Sequence, residues 1–451
     1  MAVNNEEQRR KLLEAPIPPL VCKLAIPTIF SMLVNSIYNM ADAYFVSQIS
    51  TSASGAVGVV FSIMSLIQAV GFTVGVGASS IASRLLGQGK QKEADAYASS
   101  AVLSAVVLGV LLSAACLVRL DDFIWLLGST ETIHPYAKQY GLFILLSAPV
   151  MTLSFTLNNL LRWQGLARLS VVGLTLGGFL NILLDPILIF WLDWGIAGAG
   201  AATLISMTVS MLILISYFVR KKSALRLSPR CISRSPRLYY HILRQGLPSL
   251  FRQGVMGFST MSLNFNARVY GDAAVAALAI VIKVFSVIHA VTIGFGQGFQ
   301  PVLGYNYGAG NHRRVKEAVF FSEKVITALL AAAAVVGWIF APHIISLFRD
   351  DPQVIEIGVR AFRFQCLTLA LTPTLTFSNM LFQALGKVGR ATLLAICRQG
   401  LYIPVVFVLS HFFGLTGLEW SQACADLISF TLSAAITVRF FRKEFVPKKT
   451  A

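Results

Sequence analysis

The stretch "NILLDPILIF", Asn181 to Phe190, places an amide, a carboxylic acid and a proline inside an apolar run that extends from Leu169 to Trp191. A run of that length crosses the hydrocarbon core of a bilayer as a helix. A carboxylate at the centre of such a helix costs about 2.5 to 3.5 kcal/mol to insert, so Asp185 needs a partner or a task. Asn181 stands four residues before it and shares its helix face. The same face continues back through Gly177 and Gly173, small residues that let a backbone or a ligand come close.

The rest of the chain sets the context. Of 451 residues, 56% are hydrophobic and 13% charged, and the mean hydropathy is +0.70, well outside the range of ordinary soluble domains. Twelve mostly apolar runs are long enough to cross a bilayer: roughly 18–47, 54–82, 97–118, 138–161, 169–192, 196–219, 240–268, 273–303, 318–341, 361–385, 391–413 and 417–438. These are spans 1 to 12. Their continuity predicts helices, because barrel strands alternate over about ten residues. The predicted fold class is an all-α integral membrane protein with 12 transmembrane helices.

The net charge of +17 is explained by its placement. With both chain ends on one side, twelve spans put most of the 37 Lys and Arg on that side, which makes it the cytoplasm. The expected setting is the cytoplasmic membrane, multi-pass, with both termini cytoplasmic. The densest block, Arg220 to Arg244, contains no acidic residue. It reads as a topological determinant, with an anionic-lipid contact as the alternative; no nucleic-acid partner is called for. The six cysteines are scattered singly, the histidines show no ligand pairing, and no GxxxxGK[ST] phosphate loop occurs. No nucleophile and base pair up, so no enzyme and no cofactor are predicted.

The chain also repeats itself at a shift of 221 residues. "AIPTIF" with Pro27 matches "GLPSLF" with Pro248. Gly75 and Gly77 match Gly296 and Gly298, Gly87 and Gly89 match Gly308 and Gly310, Asn158 matches Asn379, and Gly165 matches Gly386. With a slip of two, Gly195 and Gly198 match Gly414 and Gly417. A six-helix unit used twice accounts for this. The predicted organisation is a cytoplasmic segment 1–17, an N-lobe 18–219, a basic cytoplasmic linker 220–239, a C-lobe 240–438 and a cytoplasmic tail 439–451. Six spans per repeat is even, so the lobes share one orientation about a pseudo-twofold axis along the membrane normal. They enclose a cavity near the midplane. Each lobe can bury its own helices, so a monomer is expected.

The loops "SRLLGQGKQKEADAYA" and "LGYNYGAGNHRRVKEAV", the segments "NNLLRWQG" and "SNMLFQALG", and "NILLDPILIF" itself resemble the multidrug and toxic compound extrusion (MATE) family from about residue 20 to 440. The resemblance implies two six-helix lobes and export of small amphiphilic molecules driven by inward Na⁺ or H⁺ flow. A lipid-linked oligosaccharide or lipid flippase of related architecture is the alternative.

Span 1 carries Ser31, Asn35, Asn39 and Asp42 at helical spacing, and span 6 offers Thr203 on a wall of Gly and Ala. Asp42, Asn181, Asp185 and Thr203 are hard oxygen donors suited to Na⁺, and the same carboxyls can carry protons. Asn35 and Asn39 are supporting polar residues. The four donor positions match the amino-lobe cation site of several members of the family. The bland alternative is that Asp185 only bridges helices through Asn181. Pro27 and Pro186 each remove a backbone hydrogen bond and are expected to bend spans 1 and 5, as coupling hinges or as fixed kinks.

The second lobe is basic where the first is acidic. Arg252 in span 7, Lys283 in span 8 and Arg398 in span 11 interrupt apolar runs, and Arg252, Ser259 and Asn266 recur every seven residues. Arg252 and Arg398 are near enough to the cytoplasmic side to snorkel. Lys283 is predicted either to pair with Asp426 or to face the cavity. With Arg252, Arg398 and Asn266 it completes the candidate substrate wall, and a basic wall opposite an acidic one suits zwitterions or compounds with an anionic group.

Overall fold

The computed structural model describes residues 5–349 and 351–444. Residues 1–4 of the predicted cytoplasmic segment and 445–451 of the predicted tail lie outside the described residues. The described chain is helical, with no strand. Spans 1 to 4 are Ile17–Ser47, Thr51–Gly87, Gln91–Val118 and His134–Arg162, and span 6 is Gly195–Val219. Spans 7, 8 and 9 are Pro236–Ala267, Asp272–Gly308 and His312–Ser346. Three spans are interrupted. Span 5 is an α-helix over Ala167–Pro186 that continues as a π-turn, Ile187–Trp191; span 10 is split into Pro352–Leu369 and Thr372–Ala384; span 11 breaks after Val388–Gly400 and resumes at Tyr402. Span 12 follows a bend at Gly414 and runs to Glu444.

By length and apolarity nine helices among the described residues qualify as membrane crossings. Span 7 is too polar, span 10 is broken, and spans 11 and 12 run together, which reconciles nine with twelve. Large apolar side chains such as Phe30, Met40, Leu111, Ile339 and Phe412 stay exposed, as an outer face turned to lipid requires.

Three of the repeated glycine pairs have one cause. Gly89 and Gly310 adopt φ of 79° and 80°, Gly165 and Gly386 adopt 77° and 79°, and Gly195 and Gly414 adopt 53° and 61°. In each pair the chain turns through left-handed backbone after a helix, a conformation that costs glycine nothing. These three landmarks are therefore turns of a twice-used six-helix unit.

Between the lobes, span 1 packs on span 8 and span 7 on span 2, so each lobe's first helix braces the other lobe's second. A Cβ at Gly246 would lie 1.9 Å from the Thr73 carbonyl oxygen, and one at Gly298 would lie 2.4 Å from Ala25 Cα. Only bare backbone allows this approach; where apolar burial gives no net drive, such packing holds membrane helices together. Two cross-lobe hydrogen bonds reinforce it: Thr28 Oγ1 donates to the Gly294 carbonyl at 2.6 Å and Arg84 Nη1 to the Ala384 carbonyl at 2.7 Å.

The lobes are also tied at the side that carries both ends of the described chain. The helix Asn5–Glu14 bridges them: Arg9 Nη2 donates to the Gly87 carbonyl at 2.9 Å and Gln8 Nε2 to the Gln164 carbonyl at 3.0 Å, while Asn306 of span 8 donates to the Leu12 carbonyl at 3.0 Å. Glu444 on the same side pairs with Lys387 at 2.8 Å. The basic linker is docked on the first lobe, where Gln164 Oε1 accepts from Ala224 N at 2.7 Å and Asp95 Oδ1 from Arg226 N at 2.8 Å. Span 7 starts at Pro236, four residues before the predicted boundary, because proline at the first helical turn opens a helix rather than ending a linker.

Candidate functional site

Span 5 delivers Asp185 and Asn181 to one face, where Gly177 and Gly173 admit span 6. A Cβ at Gly177 would meet Ser210 Cβ at 2.9 Å. Asp185, Asn181 and Thr203 are all buried. With its amide nitrogen turned to the acid, Asn181 donates to Asp185 Oδ2 at 3.1 Å and accepts from the Thr203 backbone N–H at 3.2 Å. Asp42 is buried beside them and accepts from the Tyr140 hydroxyl at 3.3 Å.

Two oxygens are left over. Asp42 Oδ1 and Asp185 Oδ1 are buried without a hydrogen-bond partner, and neither acid has a basic side chain within 4.0 Å among the described residues. Two acids of one sign in one buried pocket require a cation or a proton to balance them. Asn181 alone satisfies only one oxygen of Asp185, so bridging helices does not account for the acid.

The polar residues of span 1 separate by helical phase. Ser31, Val34, Tyr38 and Asp42 form its buried face, whereas Asn35 and Asn39 are exposed. Asn35 still borders the cleft. Asn39 does not support the site as predicted: it donates to the Asn35 carbonyl at 2.7 Å on its own helix. Tyr38 and Tyr140 were not foreseen. Tyr38 carries a legible signal, being four residues before Asp42; Tyr140 reaches the site from span 4 and carries none.

Pro186 ends the α-helical part of span 5, and the backbone loosens into the π-turn that follows. Pro27 lies inside the continuous helix of span 1. Next to it, Thr28 turns its hydroxyl to the carbonyls of Leu24 and Ala25 as well as to Gly294 across the lobes.

Between the lobes lies a cleft of about 490 Å³, bordered by Asn35, Tyr38 and Asn181 on one side and by Arg252, His289 and Arg398 on the other. That size suits a drug-sized molecule. Arg398 Nη2 lies 3.2 and 3.1 Å from the His289 ring nitrogens. Glu419 also borders the cleft; its Oε1 lies 3.1 Å from Arg360 Nη2, while its Oε2 is buried without a partner. At the closed end Arg162 reaches from span 4 to span 8, donating through Nη1 to Gln300 Oε1 at 3.2 Å and to the Gln297 carbonyl at 3.3 Å, and through Nη2 to Asn159.

Two predicted members of the basic wall are absent from it. Lys283 is exposed, borders no part of the cleft and makes no ion pair with Asp426. Asp426 is buried, takes a hydrogen bond from Gln422 at 3.1 Å and has Arg398 as its neighbouring cation. Asn266 donates to the Ser262 carbonyl at 2.8 Å and is also outside the cleft. Arg252 and Ser259 do border it, but a straight α-helix drifts about 20° per seven residues, and Asn266 sits two such steps from Arg252. Phe72, Phe155 and Phe285 line the cleft, while Phe299 and Tyr305 are core residues.

Two repeated six-helix lobes, closed together at one end over a largely apolar cleft with a few polar and charged groups, define the architecture of a membrane transporter. The chain belongs to the multidrug and toxic compound extrusion (MATE) family: the MatE profile matches residues 27–187 and 248–408, two segments offset by the 221-residue repeat. The multidrug export protein MepA of Staphylococcus aureus (strain MSSA476) is 26% identical over 439 residues, 97% of each chain. Among solved structures, a MOP superfamily transporter from Pyrococcus furiosus, described as having a binding pocket of reverse polarity, is similar with TM-score 0.90 and 26% identity over 96% of this chain and 98% of that one. An outward-facing multidrug resistance MATE transporter has TM-score 0.90 and 25% identity over 98% of this chain and 100% of that one. The family consists of transporters rather than enzymes, and the flippase alternative gains nothing from these relatives.

Proposed function

We propose that the chain is a secondary antiporter of the bacterial cytoplasmic membrane that exports amphiphilic organic compounds in exchange for inward H⁺ or Na⁺. The observation that carries this is the pair of buried acids, Asp42 and Asp185, each with one unpartnered oxygen, in the lobe whose wall borders the cleft. Uptake of a proton or Na⁺ there removes the cost of a bare carboxylate. That changes the free energy of the first lobe and so the balance between opening to one side of the membrane and opening to the other. The substrate occupies the cleft between lobes. Both termini are cytoplasmic, which makes the closed end of the present conformation the cytoplasmic one, and a single chain supplies both walls, so the working unit is a monomer.

Proteoliposomes holding the full chain test this through dye accumulation under an imposed Na⁺ or H⁺ gradient. One gradient is expected to drive accumulation, and Asp185→Asn to reduce it at least tenfold while the protein still binds dye. Transport indifferent to both gradients, or a variant that behaves as the parent, overturns the coupling role.

A further inference from the structure

The second lobe's wall holds positive charge that nothing among the described residues fully balances. Arg252 and Arg398 both border the cleft and stand near enough to feel each other's charge, and Arg252 is similarly close to Arg162 at the closed end. None of the three has a carboxylate oxygen within 4.0 Å among the described residues. Nearby acids do not close the account. Glu419 pairs with Arg360, which also pairs with Glu356, and Asp426, bound to Gln422, is set against Arg398, so these acids do not match the guanidinium groups in number. Like charges held together in a partly desolvated site are costly without a counter-ion.

The wall is also shaped to hold an anion. His289, a neutral acceptor toward Arg398 Nη2, fixes that guanidinium beside the cleft, and Arg398 Nε is buried without a partner. Span 11 breaks immediately after Gly400, so Arg398 sits in the last turn of a helix that ends in the membrane. Guanidinium groups grip carboxylates through paired donors, a geometry an ammonium lacks.

We propose that Arg398 and Arg252, with His289 as the positioning residue, form a carboxylate subsite in the cleft, so that the substrates are amphiphilic zwitterions or organic acids rather than simple cations. This rests on the cleft being the substrate site. The substrate's anionic end lies on the second lobe, and any cationic end lies against the first, where Asn35, Tyr38 and Asn181 border the cleft.

Tetramethylrhodamine, which carries a free carboxylate, and its methyl ester, which does not, separate the carboxylate from the rest of the molecule. Fluorescence anisotropy of each dye with the purified full chain is expected to show the free acid binding at least tenfold tighter. Arg398→Met and, independently, Arg252→Met should each remove most of that preference, with ester binding retained as the check that the variant is folded. A free acid that binds no tighter than the ester, including no binding of either, overturns the subsite. So does displacement of the dye by a short-chain phosphatidylglycerol but not by a soluble aromatic carboxylate, which would assign the arginines to a lipid headgroup. Binding needs no gradient, so absence of the preference in the unmutated chain with gradient-driven transport intact overturns the subsite alone. The converse overturns the coupling role alone.

Discussion

The two lobes share a backbone plan and differ in nearly every charge that faces the cleft. At the shift of 221 residues, Ser31, Gly177 and Gln68 of the first lobe correspond to Arg252, Arg398 and His289 of the second, and all six border the cleft. In the other direction, Asp42, Asn181 and Asp185 correspond to Leu263, Tyr402 and Val406. Three turns with positive φ, at Gly89 and Gly310, Gly165 and Gly386, and Gly195 and Gly414, keep their glycine on both sides. The difference shows which properties the architecture needs twice and which only once. Turns and close helix crossings serve both lobes; the acid pair Asp42 and Asp185 serves one, and the cleft pair Arg252 and Arg398 the other.

The comparison breaks most directly if an acid is put where the second lobe has none. Val406 is fully buried, and its equivalent in the first lobe, Asp185, is served by Asn181, itself held by Thr203, for which the second lobe offers Tyr402 and Gln422 but no matching set. Val406→Asp is expected to destabilise the folded protein by about 2.5 to 3.5 kcal/mol, the insertion cost of a lone carboxylate, read as a lower thermal unfolding midpoint and folded yield in detergent. An unchanged midpoint would mean that both lobes can house an acid and that the first owes its site to history rather than to its donors.

A second asymmetry lies at the closed end. Arg162 crosses to Gln297 and Gln300 of the other lobe, whereas its counterpart Gln383 donates to Ser249 Oγ at 2.9 Å within its own. Arg162→Gln makes the two alike. A hydrogen bond to a charged group contributes about 1.5 to 3 kcal/mol, so its loss should shift the balance between closed and open on this side about tenfold or more. Ser83 is buried at this junction; with the native cysteines replaced, a cysteine there should react with a soluble thiol reagent about tenfold faster in Arg162→Gln than in the parent. An equal rate would make Arg162 a packing residue and not a lock between lobes.

What could be read from the sequence divides along similar lines. The repeat was legible because left-handed turns admit little but glycine, so Gly89, Gly165 and Gly195 and their partners mark the fold residue by residue. Asp185 and Asn181 were legible because polar atoms are conspicuous in hydrocarbon and four residues make a helix face. Contacts between spans were not. Tyr140 meets Asp42 from 98 residues away, and Arg162 finds Gln300 from 138, pairings set by how lobes and helices rotate against one another. Even the bridging helix Asn5–Glu14 reads as a polar leader until Asn306 and Gly87 are seen to hold it.

Lys283 gives the finest version of the comparison, since it separates charge in a span from charge in the cleft. Ile282, Phe285, Ser286 and His289 border the cleft, a helical stripe at steps of three, four and seven from its first member, and Lys283 is one position off it, about 100° around the helix. Its depth in the span suggested a partner; its phase turns it away from both Asp426 and the substrate. Lys283→Met is therefore expected to leave dye binding, the preference for a free carboxylate and gradient-driven transport within twofold of the parent, and stability within about 0.5 kcal/mol, as for surface changes that break no pairing. A loss of carboxylate preference comparable to that of Arg398→Met would place Lys283 in the cleft during part of the transport cycle. Span 8 would then have to rotate between states, and the second lobe's wall would be a moving surface rather than the fixed one that the arginines define.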